Sequence, residues 1–147
     1  MEKKKNTFIK DISLIKVHKK RINNIIYLLN NKIISCSEDK TIKIRELYNN
    51  KYQLICSITL NYNINDELLS LLLLEDKNIL VNAGGNGTFF WKISIKGIII
   101  KFIHRFSNVI CTCWNALSRI DEDRIIVGSQ EELNIISIKD KNIIKSI

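Results

Sequence analysis

Ile33-Ile34-Ser35-Cys36-Ser37-Glu38-Asp39-Lys40-Thr41-Ile42-Lys43-Ile44 reads as an apolar strand, a patch of small residues, a tight turn and a second apolar strand. The order recurs in Ile79-Leu80-Val81-Asn82-Ala83-Gly84-Gly85-Asn86-Gly87-Thr88-Phe89-Phe90, where Thr88 follows Thr41 by 47 positions. It recurs more weakly in Ile125-Ile126-Val127-Gly128-Ser129-Gln130-Glu131-Glu132-Leu133-Asn134-Ile135-Ile136, where Leu133 follows Phe89 by 44. A period on the order of 40 to 50 residues marks a chain built from one supersecondary unit, repeated because a single copy cannot bury its own apolar faces.

Outward from these copies, apolar runs of strand length alternate with Asn, Asp, Lys and Gly, and almost none holds helical spacing for three turns. The pattern predicts an all-β chain with strands at 8–15, 22–29, 32–38, 41–46, 53–60, 67–74, 78–84, 88–94, 98–105, 108–116, 124–129, 132–138 and 142–147, and no helix. Asn30-Asn31, Tyr48-Asn49-Asn50, Asn86-Gly87 and Asp121-Glu122-Asp123 supply turns between them, Asn86-Gly87 being the sharpest hairpin signal.

The first copy resembles strand b, the Asp-containing turn and strand c of the WD-repeat family, and Val17-His18 resembles the family's Gly-His position upstream. Where the family has Trp-Asp after strand c, this chain has Arg45-Glu46. The second copy has Trp91-Lys92 one place early, and the third has no tryptophan. The resemblance implies β-propeller blades of four antiparallel strands at about 22–60, 67–105 and 108–147, with strand 8–15 left over to complete another blade. A closed propeller takes roughly four to eight blades, so the ring is incomplete. The chain is then a shortened product, an excerpt of a longer protein, or half of an oligomeric ring. The small residues Ser35, Cys36, Ser37, Ala83, Gly84, Gly85, Gly128 and Ser129 are expected where tapered sheets come closest.

Composition narrows the function classes. Hydrophobic residues at 46% and charged residues at 26% fit a globular chain and oppose disorder. The longest apolar run, 68–74, is far short of the roughly 20 residues a membrane helix needs, and Met1-Glu2-Lys3-Lys4-Lys5-Asn6 leads into no secretory signal. A cytoplasmic or nuclear protein is expected. Cys36, Cys56, Cys111 and Cys113 are expected as free thiols, since one Cys-x-Cys and two distant histidines make neither a disulfide scaffold nor a zinc site. The net charge of +8 is compatible with nucleic acid or anionic lipid. The abundance of Lys, Ile and Asn and the lack of proline equally suit an A/T-rich coding sequence.

No cofactor, metal or catalytic residue is expected. His18, Ser35, Ser37 and Asp39 carry the residue types of a hydrolytic triad, but the resemblance implies a structural tetrad tying turn to sheet, with Arg45 in its tryptophan position, and no nucleophile-elbow motif is present. The segment 83–88 has glycines but no following Lys-Ser/Thr and no helix, and reads as a turn. Asp121, Glu122 and Asp123 read as a solvated tip. His104 is expected to make a structural hydrogen bond, and Trp91 and Trp114 to lie in the core. The resemblance implies a non-catalytic scaffold for protein partners, with self-association or completion by other blades as a further expectation. A module for RNA or anionic lipid is the alternative. Lys19, Lys20, Arg21, Lys40 and Arg105 are expected to share one face, the loops with Glu75, Asp76, Asp121, Glu122 and Asp123 the opposite one.

Overall fold

A computed structural model describes residues 16–28, 30–49, 51–60, 67–94 and 101–147. The strand expected at 8–15 lies outside the described residues. Twelve strands are formed among them: β1 (Ile22–Leu28), β2 (Lys32–Ser37), β3 (Thr41–Tyr48), β4 (Lys51–Thr59), β5 (Leu68–Leu74), β6 (Ile79–Gly84), β7 (Gly87–Lys92), β8 (Lys101–Phe106), β9 (Leu117–Arg119), β10 (Arg124–Gly128), β11 (Leu133–Ser137) and β12 (Asn142–Ser146). They make three antiparallel four-stranded sheets, β1 to β4, β5 to β8 and β9 to β12, each in sequential order. One 3₁₀ turn, Glu75–Lys77, interrupts the all-strand pattern between β5 and β6.

The three sheets repeat one plan down to an irregularity. In each, the third and fourth strands lose register by one residue, leaving Ile55, Ile103 and Ile144 without a partner. Such a bulge bends and twists the outer strand at the same place each time. It also fixes the correspondence between sheets: Arg45, Trp91 and Ile136 are each the first residue of the third strand past the shift, paired with Ile33, Leu80 and Ile125. The hairpin between β6 and β7 is a two-residue turn, Gly85-Asn86, whereas β2 and β3 are joined by Glu38, Asp39 and Lys40. The shorter turn brings Trp91 into the place of Arg45, although it comes one residue early in sequence.

Alternation along the strands gives the middle sheet two buried faces. Leu71, Leu80, Phe89 and Trp91 pack with Leu28, Ile34, Cys36, Ile42 and Ile44 of the first sheet. Leu74, Val81, Ala83, Phe90 and Phe106 pack with Leu117, Ile125, Val127 and Ile136 of the third. Burying one such side chain stabilises by about 1.5–3 kcal/mol, so face-to-face packing of sheets, more than any single hairpin, holds the assembly. The innermost strands adjoin in turn, β1 against β5 and β5 against β9, so the sheets fan about a common axis. The outward faces of the first and third sheets leave Ile25, Tyr27 and Leu54, and Ile120, Leu133 and Ile144, exposed.

The strand expected over 108–116 is not formed; the strand lies at Leu117–Arg119. The apolar residues that suggested it, Val109 and Cys111, are buried instead between the second and third sheets. The segment is fastened to the second sheet by Thr88 Oγ1 donating to Val109 O (2.9 Å) and Cys111 N–H donating to Gly84 O (3.1 Å). Small residues matter where the connections pass close. A Cβ on Gly84 would overlap the Glu67 carbonyl, and one on Gly87, whose φ is 117°, would overlap that of Phe106.

Candidate functional site

The site is the end of the molecule where each sheet's middle hairpin meets the chain entering its first strand. At the first sheet, His18 stands at the centre. Its Nε2 lies 2.7 Å from Ser35 Oγ; its Nδ1 lies 3.1 Å from Asp39 Oδ2 and 2.9 Å from Thr41 Oγ1. Asp39 also accepts from the backbone N–H of Lys19 (2.8 Å) and Thr41 (3.0 Å) and from the Thr41 hydroxyl. Ser37 Oγ accepts from the Asp39 N–H at 3.0 Å. The residues singled out in sequence, His18, Ser35, Ser37 and Asp39, are thus gathered at one turn, with Thr41 as an added member.

Burial holds the His18 imidazole below its ordinary pKa of 6.5, outweighing the pull of Asp39. Burial alone would raise Asp39, but the Thr41 hydroxyl, the N–H groups of Lys19 and Thr41, and His18 together hold it at about 2. A neutral ring beside a carboxylate donates through Nδ1 and accepts the Ser35 hydroxyl proton at Nε2. Ser, His and Asp stand in the order of a nucleophilic triad, yet Ser35 is 2% exposed and the His18 side chain is fully buried. In this arrangement the hydroxyl faces packed protein, and the network anchors the turn.

In the second sheet Asn82 takes the place of Ser35, and Trp91 Nε1 donates to Asn82 Oδ1 at 2.6 Å. In the first sheet the same place is held by Arg45, whose Nη2 donates to Val17 O at 3.1 Å, beside Lys43 Nζ at 3.0 Å from the same oxygen. His104 lies within β8, edge-on to Phe106 at 4.6 Å between ring centroids. Burial pushes the Cys36 thiol up to about 12 and raises Cys56 and Cys111; all four cysteines are free.

Lys19, Lys20 and Arg21 are exposed along the rim, and Lys40 sits in the turn at φ 65°. Arg105 is drawn down at the next hairpin, donating to Asn86 O (3.1 and 2.7 Å) and stacking over Phe89. Trp114 corrects the expectation of a core residue. It is 59% exposed on the connection before β9, with the Arg21 guanidinium 5.7 Å from its ring. The nearby pair Asn24 Nδ2 and Asn115 Oδ1, at 2.8 Å, links the first strand of the first sheet to the same connection. Sequence reading missed Trp114 because Val109 to Trp114 is apolar but for Thr112; the available signal was Asn115 at its close, a residue type suited to the left-handed φ of 56° it adopts.

The opposite end carries the loops with Glu75, Asp76, Asp121, Glu122 and Asp123. Its carboxylates are partly paired: Arg119 of β9 binds Asp76 of the turn after β5 in a bidentate pair (2.7 and 2.8 Å), and Arg124 binds Asp121 at 2.6 Å. Asp123 accepts from Ser137 Oγ (2.8 Å) and Lys139 N–H (2.7 Å). The charge separation between ends is correspondingly reduced.

No protein-family model matches the sequence, and no curated protein matches it. Among solved structures the chain is similar to the β-propeller domain of Cps50 (Swd1) from Myceliophteria thermophila, with a TM-score of 0.68 over 86% of this chain at 13% identity. It is similar also to a functionally unknown protein from Desulfotomaculum acetoxidans DSM 771, with a TM-score of 0.70 over 86% of this chain at 13% identity. The fold is an unclosed β-propeller. Its three sheets are three blades, and the chain spans 42% of the length of each of these two structures. Among the described residues, no helix is long and apolar enough to cross a membrane.

Proposed function

We propose that this chain is a segment of a WD-repeat propeller that serves, inside the cell, as a non-catalytic scaffold for protein partners, and that it holds them at the end carrying the β2–β3, β6–β7 and β10–β11 hairpins. The family assignment rests on His18 and on Ser35 to Ile44, where His18, Ser35, Asp39 and Thr41 share one hydrogen-bonded network at a half-buried turn. The observation that carries the binding reading is Trp114, exposed beneath Arg21 at 5.7 Å. Tryptophan and arginine are the residue types enriched where a few side chains dominate an interface. Lys19 and Lys20 flank them, so an acidic protein segment is the fitting partner.

Two variants test this: Trp114→Ala, and the combined reversal of Lys19, Lys20 and Arg21 to Glu. Each immobilised protein is exposed to nuclease-treated cell extract over a range of salt, with recovered proteins identified by mass. A discrete partner lost in both variants, with unchanged melting, supports the reading. Recovery identical in all three proteins overturns it. Binding that needs intact RNA, or that transfers to anionic vesicles, favours the alternative module.

A further inference from the structure

The correspondence between blades shows a difference at the hairpin end. Ser35 of the first blade and Val127 of the third hold equivalent places on their second strands, and pair with Ile25 and Leu117. His18 comes seven positions before Ile25; seven positions before Leu117 stands Ile110. The third blade thus has isoleucine where the first has its imidazole, and valine where that imidazole meets a serine hydroxyl. The hydrogen-bonded network of the first blade has no counterpart there, and a cleft of about 390 Å³ opens between the β10–β11 turn and the connection through Asn108, Ile110 and Thr112.

Three kinds of group line this cleft. Ile110, 40% exposed, gives an aliphatic wall. Asn134, only 5% exposed, is fixed through its Oδ1, which accepts from Ser146 Oγ at 2.7 Å, while its Nδ2 donates to no acceptor among the described residues. Glu131 and Glu132 stand exposed on the turn, and neither enters an ion pair among the described residues. In the first blade the turn carboxylate, Asp39, is taken up by His18, Thr41 and the Lys19 N–H. In the third, Ser129 Oγ accepts from the Glu132 N–H at 3.1 Å and the turn closes without its carboxylates.

An amide held at one end and open at the other calls for a carbonyl, and carboxylates without a counter-charge call for a cation that donates hydrogen bonds. An aliphatic wall beside them suits a methylene stem that ends in charge. One residue of a peptide with a basic side chain supplies all three, and the volume lies within the roughly 300 to 1,000 Å³ of small-ligand sites. A metal ion does not fit, because the open group of Asn134 is a donor.

We infer that this cleft holds a lysine or arginine side chain of a polypeptide partner, its charged head on Glu131 and Glu132 and its backbone carbonyl on Asn134 Nδ2. The chain's net charge of +8 opposes a basic ligand, so the preference is local to these carboxylates. The cleft stands on its own residues and does not depend on the role of Trp114.

Blocked pentapeptides, Ser-Gly-X-Gly-Ser with Arg, Lys, citrulline or Glu at X, are titrated into the isotope-labelled whole chain while NMR follows the Glu131 and Glu132 amides and the Asn134 side chain. The Arg and Lys peptides should shift these resonances saturably and bind about tenfold tighter than the uncharged citrulline peptide, the effect of one charge-assisted hydrogen bond. The Glu peptide should be weakest. The preference should vanish in Glu131→Gln with Glu132→Gln, both exposed positions where the fold persists. It should remain in Trp114→Ala and in Glu75→Gln, which removes an exposed carboxylate at the opposite end. Equal affinity of the Arg and citrulline peptides, no saturable shift with any peptide, or a preference that survives the double substitution overturns the inference. Loss of the preference in Trp114→Ala overturns it too, by moving the site to the neighbouring surface.

Discussion

His18 Nδ1 lies 3.1 Å from Asp39 Oδ2 across 21 positions of sequence, inside a pocket where the imidazole has no contact with solvent. Burial disfavours the charged ring, so the folded pKa is lowered from 6.5. The unfolded chain therefore takes up a proton below about pH 6.5 that the folded chain resists, and stability falls as pH drops through that range. Asp39 adds a second loss. Held at about 2 against 3.8, it contributes fully above the unfolded value and ceases to contribute as pH falls through the folded one. Thermal melts should shift down from about pH 7 to about pH 5, and His18→Gln should flatten that slope. An equal slope in the variant would place the proton uptake elsewhere.

Removing the carboxylate is the stronger perturbation. Asp39→Ala strips the acceptor from the Lys19 and Thr41 N–H groups and from His18, and should cost about 1–3 kcal/mol. Asp39→Asn keeps one acceptor oxygen and should cost less. Denaturant melts of the two variants measure the order, and an unchanged midpoint for Asp39→Ala would show that the turn is held by its backbone alone.

Glycine is required at two places for different reasons. At Gly87 the φ of 117° and the Phe106 carbonyl both oppose a side chain; at Gly84 the Glu67 carbonyl alone does. Gly84→Ala and Gly87→Ala should each destabilise by about 2–3 kcal/mol. A Cβ on Gly128 would meet the Ala116 Cβ at 3.3 Å and the Ala116 carbonyl and Leu133 Cδ2 at 3.7 Å, a shift of a few tenths of an ångström in place of an overlap, so Gly128→Ala should cost less than either of the other two.

These residues show how far the sequence could be read. Strand pairing was legible because the small-residue hairpin repeats, and His18 with Asp39 was legible because the turn chemistry is local. The 108–116 segment was not, since apolar character reports burial and not the partner that provides it: Val109 is buried by a neighbouring sheet without joining a ladder. The same ambiguity hid Trp114. The Arg119 to Asp76 pair joins the end of β9 to the turn after β5, 43 positions away, a relation with no periodic signal.

The two tryptophans should separate in fluorescence. Trp91 is buried against Phe89 and Phe102, while Trp114 is open to solvent. Acrylamide should quench one component readily and the other poorly, and Trp114→Phe should remove the readily quenched one. Loss of the protected component instead would reverse the assignment.

The outward face of the third blade sets the last expectation. Leu133 and Ile144 stand exposed there beside Ile126 and Ile135, an aliphatic face of the kind buried between the other blades. Apolar patches beyond a few hundred Å² drive association, and a charge of +8 opposes it only over the screening length of about 8 Å at physiological salt. The chain should therefore self-associate through this face, and more so as salt rises, the opposite of an ion-pair contact. Sedimentation at increasing concentration should show mass above the 17.1 kDa monomer. Leu133→Lys with Ile144→Lys should return it toward monomer without lowering the melting midpoint, since neither side chain is buried. A native chain that stays monomeric at high concentration and high salt would show that this face is covered in the free molecule.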